Sequence, residues 1–288
     1  MGKFAHWRPH SSLIRYNILM KGGAVAMGII YTVTNKKGGV GKSTSVLNLG
    51  YVLTQLGKKV LLVDLDPQGN LSICMDIDRK KADEVHTITE RLLEVIEDKE
   101  SPDAAQYPTL CGDLALLPCN AKLDILEDKL KEEIGSERTL LEALAPYVPL
   151  YDYILVDTSP TLGLLTINAL VAADKILIIS TPDILSANGI SMIADYIKKI
   201  KKRINPSIEI AGILLNMCNE RTNVFKNMLE ILDSAYGSRI GIFKTRIPMS
   251  VKVSEANLEK MPVVKYAPSN KVSQAFIEAA KELIDNGR

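Results

Sequence analysis

The sequence predicts an α/β protein: a three-layer, doubly wound fold with helices on both faces of a mostly parallel sheet. Three observations predict it. Apolar runs of strand length alternate with helix-like segments from residue 28 onward, which is the pattern of βαβ units. Several of these runs, such as residues 59–64, are almost continuously apolar, as is typical of strands buried on both faces. A glycine-rich turn separates the first strand from the first helix.

The elements follow one another in a regular order. Strand 29–34 comes first, and helix 42–56 ends at Gly57, a residue suited to closing a helix. Strand 59–64 follows, and residues 97–108 are polar and loop-like. The other predicted helices are 88–96, 123–134, 139–144, 162–172, 189–204, 223–232, 251–258 and 269–284, and the other predicted strands are 114–117, 153–157, 175–180, 208–216 and 240–247.

Residues 1–27 differ from the rest and are predicted to be a non-native or disordered extension before a single domain at 28–288. They contain the only Trp, and polar residues interrupt any apolar stretch of signal-peptide length. Two interpretations remain open. Either Met27 is the natural start and residues 1–26 are translated upstream sequence, or residues 1–26 form a short disordered arm.

The composition is that of a globular protein with no overall charge. Hydrophobic residues make up 47% of the 288 residues and charged residues 24%, which is enough for a substantial core. The chain has 35 Lys and Arg residues and 34 Asp and Glu residues. Because these charges nearly cancel, a nucleic-acid-binding surface has to be a local basic patch. No apolar run reaches the roughly 18–20 residues that span a bilayer. The four cysteines form no C-x-x-C pair, which disfavours a zinc knuckle or a redox motif.

The glycine-rich turn is the first functional signal. The stretch NKKGGVGKST, residues 35–44, lies between a strand and a helix, which is the context of a phosphate-binding loop. Glycines let backbone N–H groups approach phosphate oxygens, and the N-terminus of the following helix attracts the same anion. Lys42 is predicted to reach the β- and γ-phosphates, and the Ser43 hydroxyl to bind Mg²⁺. Lys36 stands where the usual pattern has its first glycine.

Three carboxylates lie at the carboxyl ends of two predicted strands: Asp64 and Asp66 at one, and Asp157 at the other. The carboxyl ends of parallel strands form the crevice in which ligands bind. Asp157 is predicted to hold Mg²⁺ directly or through water, while one of Asp64 and Asp66 helps order Mg²⁺ and the other orients the attacking water. A single aspartate after a strand is more often a turn residue, but three beside a phosphate loop favour a site.

Together these motifs resemble the deviant Walker A ATPases of the ParA/Soj/MinD superfamily. The second lysine of the loop, Lys37, ahead of Lys42 is similar to the lysine that defines the deviant motif. The resemblance covers residues 29–284. Its other segments are 60–70, similar to switch I, 157–170, similar to switch II, and 214–223, similar to the segment near the adenine. Residues 247–248 and 253–256, with 266–268, are similar to the C-terminal signature.

The resemblance implies a P-loop ATPase of the deviant Walker A type that uses ATP and Mg²⁺ and is slow without a partner. Two monomers would enclose two ATP molecules, with Lys37 of each contacting the other's phosphates. The catalytic residues it implies are Lys37, Lys42 and Asp66, with Asp66 positioning the water, and the metal residues are Ser43, Asp64 and Asp157. The implied nucleotide-binding residues are Lys36, Lys37, Gly38, Gly39, Val40, Gly41, Lys42, Ser43, Thr44 and Asn216.

The resemblance also implies a role in DNA partition. The ATP-bound homodimer would bind double-stranded DNA without sequence preference, and a ParB-like centromere-binding protein would stimulate hydrolysis. The location would be cytoplasmic, on the nucleoid when ATP is bound, with no membrane contact. Candidate DNA contacts are Arg221, Lys252, Lys199 and Lys202. For the last two, a solvated helix end that complements the helix dipole is an equal interpretation.

Three alternatives and two departures accompany this resemblance. A MinD-like positioning ATPase would need a basic amphipathic C-terminal helix, but residues 275–285 are mixed in charge. An iron–sulfur reductase would need cluster cysteines, a pattern that Cys111 and Cys119 do not fit. The third alternative, an ATP-gated regulatory switch of a mobile element, remains open.

The sequence departs from the family pattern at two places. Ser159 stands where the family usually has a second proline, and residues 249–250 are Met-Ser where the family often has Arg-Asn.

Overall fold

The computed structural model describes residues 27–77, 85–101 and 103–286. The two interpretations of residues 1–26 fall outside this part of the chain. Met27, which the sequence groups with the extension, is partly buried and packs against the hydrophobic core. The division into an extension and a single domain therefore remains a prediction. In the described residues, Met27 packs with the domain.

Strands and helices alternate through the described residues as the sequence predicts. The strands are β1 (Ile29–Thr34), β2 (Val60–Leu65), β3 (Thr109–Cys111), β4 (Leu114–Leu117), β5 (Tyr153–Thr158), β6 (Lys175–Ser180), β7 (Glu209–Cys218) and β8 (Ile242–Pro248). The α-helices are α1 (Lys42–Gln55), α2 (Asn70–Cys74), α3 (Ile88–Ile96), α4 (Leu123–Glu132), α5 (Thr139–Leu144), α6 (Leu164–Ala172), α7 (Ile184–Arg203), α8 (Asn223–Leu232), α9 (Val251–Leu258), α10 (Val263–Tyr266) and α11 (Lys271–Asn286).

The strands form one sheet in the order β3-β4-β2-β5-β1-β6-β7-β8. Every neighbouring pair is parallel except β3 and β4. β1 lies inside the sheet, between β5 and β6. The segments that follow β1, β2, β5 and β6 therefore leave the same edge of the sheet, which is where ligands bind in such folds. The predicted mostly parallel sheet is confirmed.

Helices cover both faces of the sheet. In β1, Tyr31 and Val33 belong to one hydrophobic cluster, which contains residues of α1, α10 and α11. Ile30 belongs to a second cluster on the opposite face, with residues of α3 to α6. A third cluster continues that face with residues of α7 and α8. Because successive strand side chains point to opposite faces, one strand contributes side chains to the packing of both helical layers, as the three-layer prediction requires.

Among the α-helices and strands, four differences from the sequence-based prediction are larger than a shift of an end by two residues. The short helices α2 and α10 and the edge strand β3 were not predicted. Helix α7 begins at Ile184, not at Gly189, because Asp183 caps it by accepting a hydrogen bond from Ser186 N at 3.0 Å. Gly189 lies inside the helix, where a Cβ would lie 2.7 Å from Asn35 Oδ1. Its small size thus serves close packing and does not mark the helix start. Among the described residues, no helix is long and apolar enough to cross a membrane.

Candidate functional site

The glycine-rich loop connects β1 to α1 and is held from two sides. Asn35 donates from Nδ2 to the Ile179 carbonyl oxygen at 2.6 Å, and its Oδ1 accepts from Lys37 N at 3.1 Å. Gly41 has a φ of 87°, in the left-handed region that favours glycine. A Cβ at Gly41 would also lie 2.2 Å from Asn216 Nδ2. Both the backbone angle and the close contact therefore require glycine at position 41.

Asn216, predicted near the adenine, lies at the end of β7 and supports this loop. Its Nδ2 donates to the Val40 carbonyl oxygen at 2.8 Å, and its Oδ1 accepts from Met217 N at 2.9 Å. The structure thus places Asn216 against the loop, a contact that the sequence did not predict, and its role near the adenine stays a prediction. Its side chain fixes the loop's shape through the backbone.

Lys42 is the first residue of α1 and is only 7% exposed. Burial lowers the pKa of Lys42, while the nearby carboxylates of Asp157 and Asp66 raise it. A buried ammonium group needs negative partners. The predicted carboxylates supply them, so the structure brings together Lys42 and the strand-end aspartates.

Asp157 and Asp64 occupy directly paired positions of β5 and β2, and both are fully buried. Neither carboxylate oxygen of Asp157 has a hydrogen-bond partner among the described residues. Burial raises the pKa of Asp157 well above its usual range and the Asp64 carboxylate adds to this, while the nearby Ser43 hydroxyl and Lys42 act in the opposite direction. An unpaired buried carboxylate beside a hydroxyl is a suitable donor set for Mg²⁺, which prefers oxygen ligands.

Asp64 is in a different state, because its oxygens are already hydrogen-bonded. Oδ2 accepts from Ser72 N at 2.8 Å and from Ser72 Oγ at 2.6 Å, and Oδ1 accepts from Asp66 N at 3.3 Å. Burial raises the pKa of Asp64 to about 6, although the Ser72 bonds oppose this. Ser72, on α2, was not predicted, because α2 itself was not. The structure therefore favours Asp157 over Asp64 as a direct metal ligand.

Asp66 lies just beyond β2 and is 5% exposed. Its Oδ1 accepts from Gln68 N at 3.0 Å, and its carbonyl oxygen accepts from Gly69 N at 2.8 Å. The turn thus fixes the aspartate by short-range bonds. Its carboxylate is close enough to Lys42 to raise the pKa of that amine, which places it within the same group of charges.

The Lys37 side chain contacts Asp183, a residue that the sequence-based prediction did not include. Its Nζ donates to Asp183 Oδ2 at 2.7 Å and to Thr181 Oγ1 at 3.3 Å. The neighbouring Lys36 is exposed, and its Nζ lies 3.2 Å from Met192 Sδ. Asp183 directly before the apolar Ile184 is a helix start signal, and it could have revealed the cap although not the contact with Lys37.

The segment after β5 lies against the loop and depends on a second unpredicted carboxylate. Pro160 Cγ is 3.9 Å from where a Cβ on Gly38 would lie. Helix α6 begins nearby, with Gly163 as an N-cap that has no side chain to offer. Glu127 of α4 takes that role, because its Oε1 accepts from Leu165 N at 3.3 Å. No local sequence signal links Glu127 to a helix that starts 37 residues later.

A cleft of about 920 Å³ opens between the end of β7 and helices α9 and α11. Cys218, two residues after Asn216, lines it together with Arg221, Arg246, Pro248 and Lys271. The lining of the cleft therefore includes three basic side chains. It lies beyond the end of the same strand that supports the phosphate loop.

The four candidate DNA contacts have different surroundings. Arg221 is exposed and lines the cleft. Lys252 is half-buried, and its Nζ donates to Glu255 Oε2 at 2.7 Å. Lys199 lies over the Tyr196 ring at 5.3 Å, and both Lys199 and Lys202 are exposed near the end of α7. Lys252 is thus partly neutralised, while the others present their charge to solvent.

Family models match most of the chain. A model described as an AAA domain matches residues 28–210. The ParA model, described as NUBPL iron-transfer P-loop NTPase, matches residues 143–284. Together they include the loop, all three strand-end aspartates and the cleft.

Relatives and solved structures agree with these matches. Sporulation initiation inhibitor protein Soj of Bacillus subtilis is 36% identical over 261 residues, covering 91% of this chain and 100% of that protein. Chromosome partitioning protein ParA of Caulobacter vibrioides is 33% identical, covering 90% and 95%. Cobyrinic acid a,c-diamide synthase from Mycobacterium smegmatis with ADP and magnesium has a TM-score of 0.76 at 30% identity, covering 91% and 97%. MinD of Pyrococcus horikoshii with Mg-ADP has a TM-score of 0.69 at 27% identity, covering 89% and 96%.

Proposed function

This chain belongs to the ParA/MinD superfamily of P-loop ATPases, and from that membership we propose that it is a DNA-partitioning ATPase. The proposal is that ATP binding drives dimerisation, that the dimer binds DNA without sequence preference, and that a ParB-like partner stimulates hydrolysis. One observation carries it most directly. A second loop lysine, Lys37, accompanies the buried Lys42, so one loop offers two amines of different exposure. The relatives named as Soj and ParA support the partition role.

The described residues fit ATP with Mg²⁺. The phosphate loop ends at the N-terminus of α1, where the helix dipole and the backbone N–H groups favour an anion. Lys42 would bind the phosphates, and Asp157 with Ser43 would hold the metal. When bound, Mg²⁺ neutralises the charge that develops on the phosphates. The related structures from Mycobacterium smegmatis and Pyrococcus horikoshii were solved with ADP and magnesium.

The cleft beyond β7 suits the remainder of the nucleotide. It starts two residues after Asn216, whose side chain contacts the phosphate loop at Val40. An elongated ligand with its phosphates on the loop could therefore extend its base and ribose along this edge. The cleft walls include Pro248 and Met249 for an apolar ring face, and Glu220 and Arg246 for polar edges.

In the proposed hydrolysis, each charged residue has one task. Asp66 orients the attacking water, which its buried position next to Lys42 supports. Asp64 holds the turn that carries Asp66, through its bond from Asp66 N. Lys37 of one copy reaches the phosphates of the other, so that hydrolysis depends on assembly. A positive charge supplied across an interface acts in this way in other phosphoryl-transfer enzymes.

Helix α11 does not offer the apolar surface that would bind a membrane in a MinD-like protein. Buried residues of α11, among them Val272, Phe276 and Leu283, belong to the hydrophobic core. Glu282 accepts from Lys244 N at 2.7 Å and from Thr245 N at 3.0 Å. The apolar face of α11 is thus used inside the fold, whereas a membrane-binding helix must present that face to lipid.

Sedimentation velocity combined with DNA binding would test this proposal. We expect the protein to sediment as a dimer with Mg²⁺ and a slowly hydrolysed ATP analogue, and as a monomer with ADP. Only the dimer should bind DNA fragments of unrelated sequence. Its affinity should fall by about 10³ or more between 50 and 200 mM salt if roughly 6–10 phosphates are contacted. An ATP-bound protein without salt-dependent DNA affinity would contradict the partition role.

A further inference from the structure

Lys37 is held within its own chain by a compact polar cluster made of Lys37, Thr181, Asp183 and Ser186, here called the Lys37 clamp. Asp183 Oδ2 accepts from Lys37 Nζ at 2.7 Å, from Thr181 Oγ1 at 2.6 Å and from Ser186 Oγ at 3.0 Å. The three donors converge on one oxygen. Such convergence fixes the position of the carboxylate and, through it, the position of the amine.

Asp183 is itself fixed by the fold. Its Oδ1 accepts from Ser186 N at 3.0 Å and thereby caps α7. A carboxylate at a helix N-terminus is stabilised by the helix dipole, whereas a lysine ammonium there is not. The Asp183 carboxylate therefore offsets the unfavourable interaction between the Lys37 ammonium group and the N-terminus of α7. Because α7 packs closely against the loop at Gly189 and Asn35, the clamp and the phosphate loop form one unit.

The clamp is also easy to open. The Lys37 and Asp183 side chains are 33% and 38% exposed, so water screens their attraction and can replace it. The hydrogen bonds from Lys37, Thr181 and Ser186 outweigh burial and lower the pKa of Asp183 to about 2. The carboxylate thus stays ionised at neutral pH. An ion pair of this kind orients a side chain without holding it irreversibly.

We propose that Asp183 is a positioning residue that holds Lys37 on its own protomer until a nucleotide phosphate of a second copy replaces the carboxylate. This inference rests on the proposed function, because it assumes that Lys37 acts across a dimer interface. It adds a regulatory step to that function. The amine cannot bond to Asp183 and to a partner's phosphate in the same position, so each assembly event has to break two clamps. No bond other than hydrogen bonds changes in this exchange.

Two substitutions of Asp183 separate the clamp from the helix cap. Asn and Ser are both good N-cap residues, so Asp183→Asn and Asp183→Ser keep the cap of α7 and remove the charge that holds Lys37. Asp195→Asn is the matched control, because Asp195 is an exposed aspartate of the same helix. The monomer–dimer dissociation constant is measured by sedimentation velocity with Mg²⁺ and a slowly hydrolysed ATP analogue.

We expect both Asp183 variants to dimerise between about twofold and thirtyfold more tightly than wild type, because two partly exposed ion pairs no longer oppose assembly. Asp195→Asn should behave as wild type. Equal or weaker dimerisation of folded Asp183 variants, alongside a normal wild-type dimer, would overturn the clamp and leave the proposed function intact. Failure of wild type itself to dimerise would instead refute the proposed function.

A second measurement tests the clamp without any dimer. The rate at which an amine-acylating reagent modifies Lys37 in the ADP-bound monomer is followed by peptide mass spectrometry. Release from Asp183 should raise this rate several-fold in Asp183→Asn, while Lys36, which is exposed in both proteins, serves as the internal reference. An unchanged ratio of Lys37 to Lys36 modification would refute the clamp whatever the oligomeric state.

Discussion

Asp64 and Asp157 lie side by side on adjacent strands, at directly paired positions of β2 and β5, and both are fully buried. Their environments are nevertheless opposite. Asp64 accepts three hydrogen bonds from the chain, whereas Asp157 accepts none from the described residues. The fold thus keeps one carboxylate for structure and leaves its neighbour available for a cation.

This difference predicts opposite stability effects for two equivalent substitutions. Asp157 lies near two other carboxylates, Asp64 and Asp66, but near only one buried ammonium group, Lys42. Asp157→Asn should therefore stabilise the protein in EDTA without nucleotide, by about 1–2 kcal/mol, which is roughly 2–8 °C in Tm. Thermal unfolding followed by circular dichroism checks this.

Asp64→Asn is the comparison for that measurement. It should lower Tm, because both carboxylate oxygens of Asp64 accept from backbone N–H groups, Oδ2 from Ser72 N at 2.8 Å and Oδ1 from Asp66 N at 3.3 Å. In either orientation the amide NH2 group would face one of these two donors. Asp157→Asn should also lose the extra stabilisation that Mg²⁺ adds to nucleotide binding. A lower Tm for Asp157→Asn in EDTA would contradict the assignment of an unpaired carboxylate at this position.

The two loop lysines predict separate losses of function. Lys37→Ala should bind nucleotide with an affinity within about threefold of wild type but hydrolyse ATP about a thousandfold more slowly or worse, as is found when a cation acting across an interface is removed. Fluorescent nucleotide binding and steady-state phosphate release measure the two effects. Lys36→Ala is the matched control, since Lys36 is the adjacent exposed lysine. Normal turnover by Lys37→Ala would refute the role of Lys37.

The contact of Glu127 with Leu165 predicts that α4 stabilises the start of α6, in the segment that follows β5. Its Oε1 accepts from Leu165 N at 3.3 Å and so caps α6 from another helix. Glu127→Gln removes a charge from the helix N-terminus, which costs about 0.3–1 kcal/mol. Hydrogen exchange of the amides at 164–167 should therefore speed up several-fold. Glu132→Gln, at the exposed end of α4, is the control, and equal exchange in both variants would contradict the cap.

The sequence predicts the charged centre of the site well, because its parts are local. Residues 35–44 carry their own loop signature, and Asp64, Asp66 and Asp157 lie at the ends of apolar strands that share one edge of a parallel sheet. Strand β1 and helix α3 have the predicted bounds for the same reason: each has a clear periodic or apolar pattern within one segment.

The supporting residues could not be predicted, because their partners are distant in sequence. Asp183 meets Lys37 across 146 residues, and Glu127 meets Leu165 across 38. The predicted helix starts at Gly189, and glycine is unfavourable inside helices. The contact with Asn35 explains its position, and that contact exists only in the folded protein. Tertiary packing thus overrides the local preference.

The candidate DNA contacts predict a graded loss of binding. Arg221→Ala should weaken binding of the ATP-bound dimer to all sequences alike and reduce the salt slope by about two, one phosphate per copy. Lys252→Ala should have a smaller effect, because Glu255 already neutralises Lys252 at 2.7 Å. Lys131→Ala is the matched control: Lys131 forms the same i,i+3 ion pair, at 2.7 Å to Asp128, on the opposite face of the sheet. Fluorescence anisotropy at several salt concentrations measures each slope, and equal slopes for all three variants would exclude Arg221 and Lys252 from the DNA surface.

The acid titration of Asp183 gives a direct prediction for its contact with Lys37. Burial would raise the pKa of Asp183, but its hydrogen bonds, with Lys37 first among them, lower it to about 2. A depressed pKa stabilises the fold above the usual value near 3.8, and that stability is lost as the pH falls through the folded value. At pH 4 the wild-type carboxyl should therefore be ionised almost completely. In Lys37→Ala its pKa should rise toward the usual value, at which about two-fifths would be protonated at pH 4.

Carbon-13 NMR of the labelled aspartate carboxyls between pH 7 and 4 measures this difference while the protein is folded. The Asp183 signal is assigned by its absence in Asp183→Asn. It should stay constant in wild type and begin to shift below pH 5 in Lys37→Ala. Lys36→Ala should titrate like wild type, because Lys36 makes its contact with Met192 and not with Asp183. Identical titration in Lys37→Ala and wild type would mean that Thr181 and Ser186 alone hold the carboxylate ionised, and Lys37 would then have no measurable bond to Asp183 in solution.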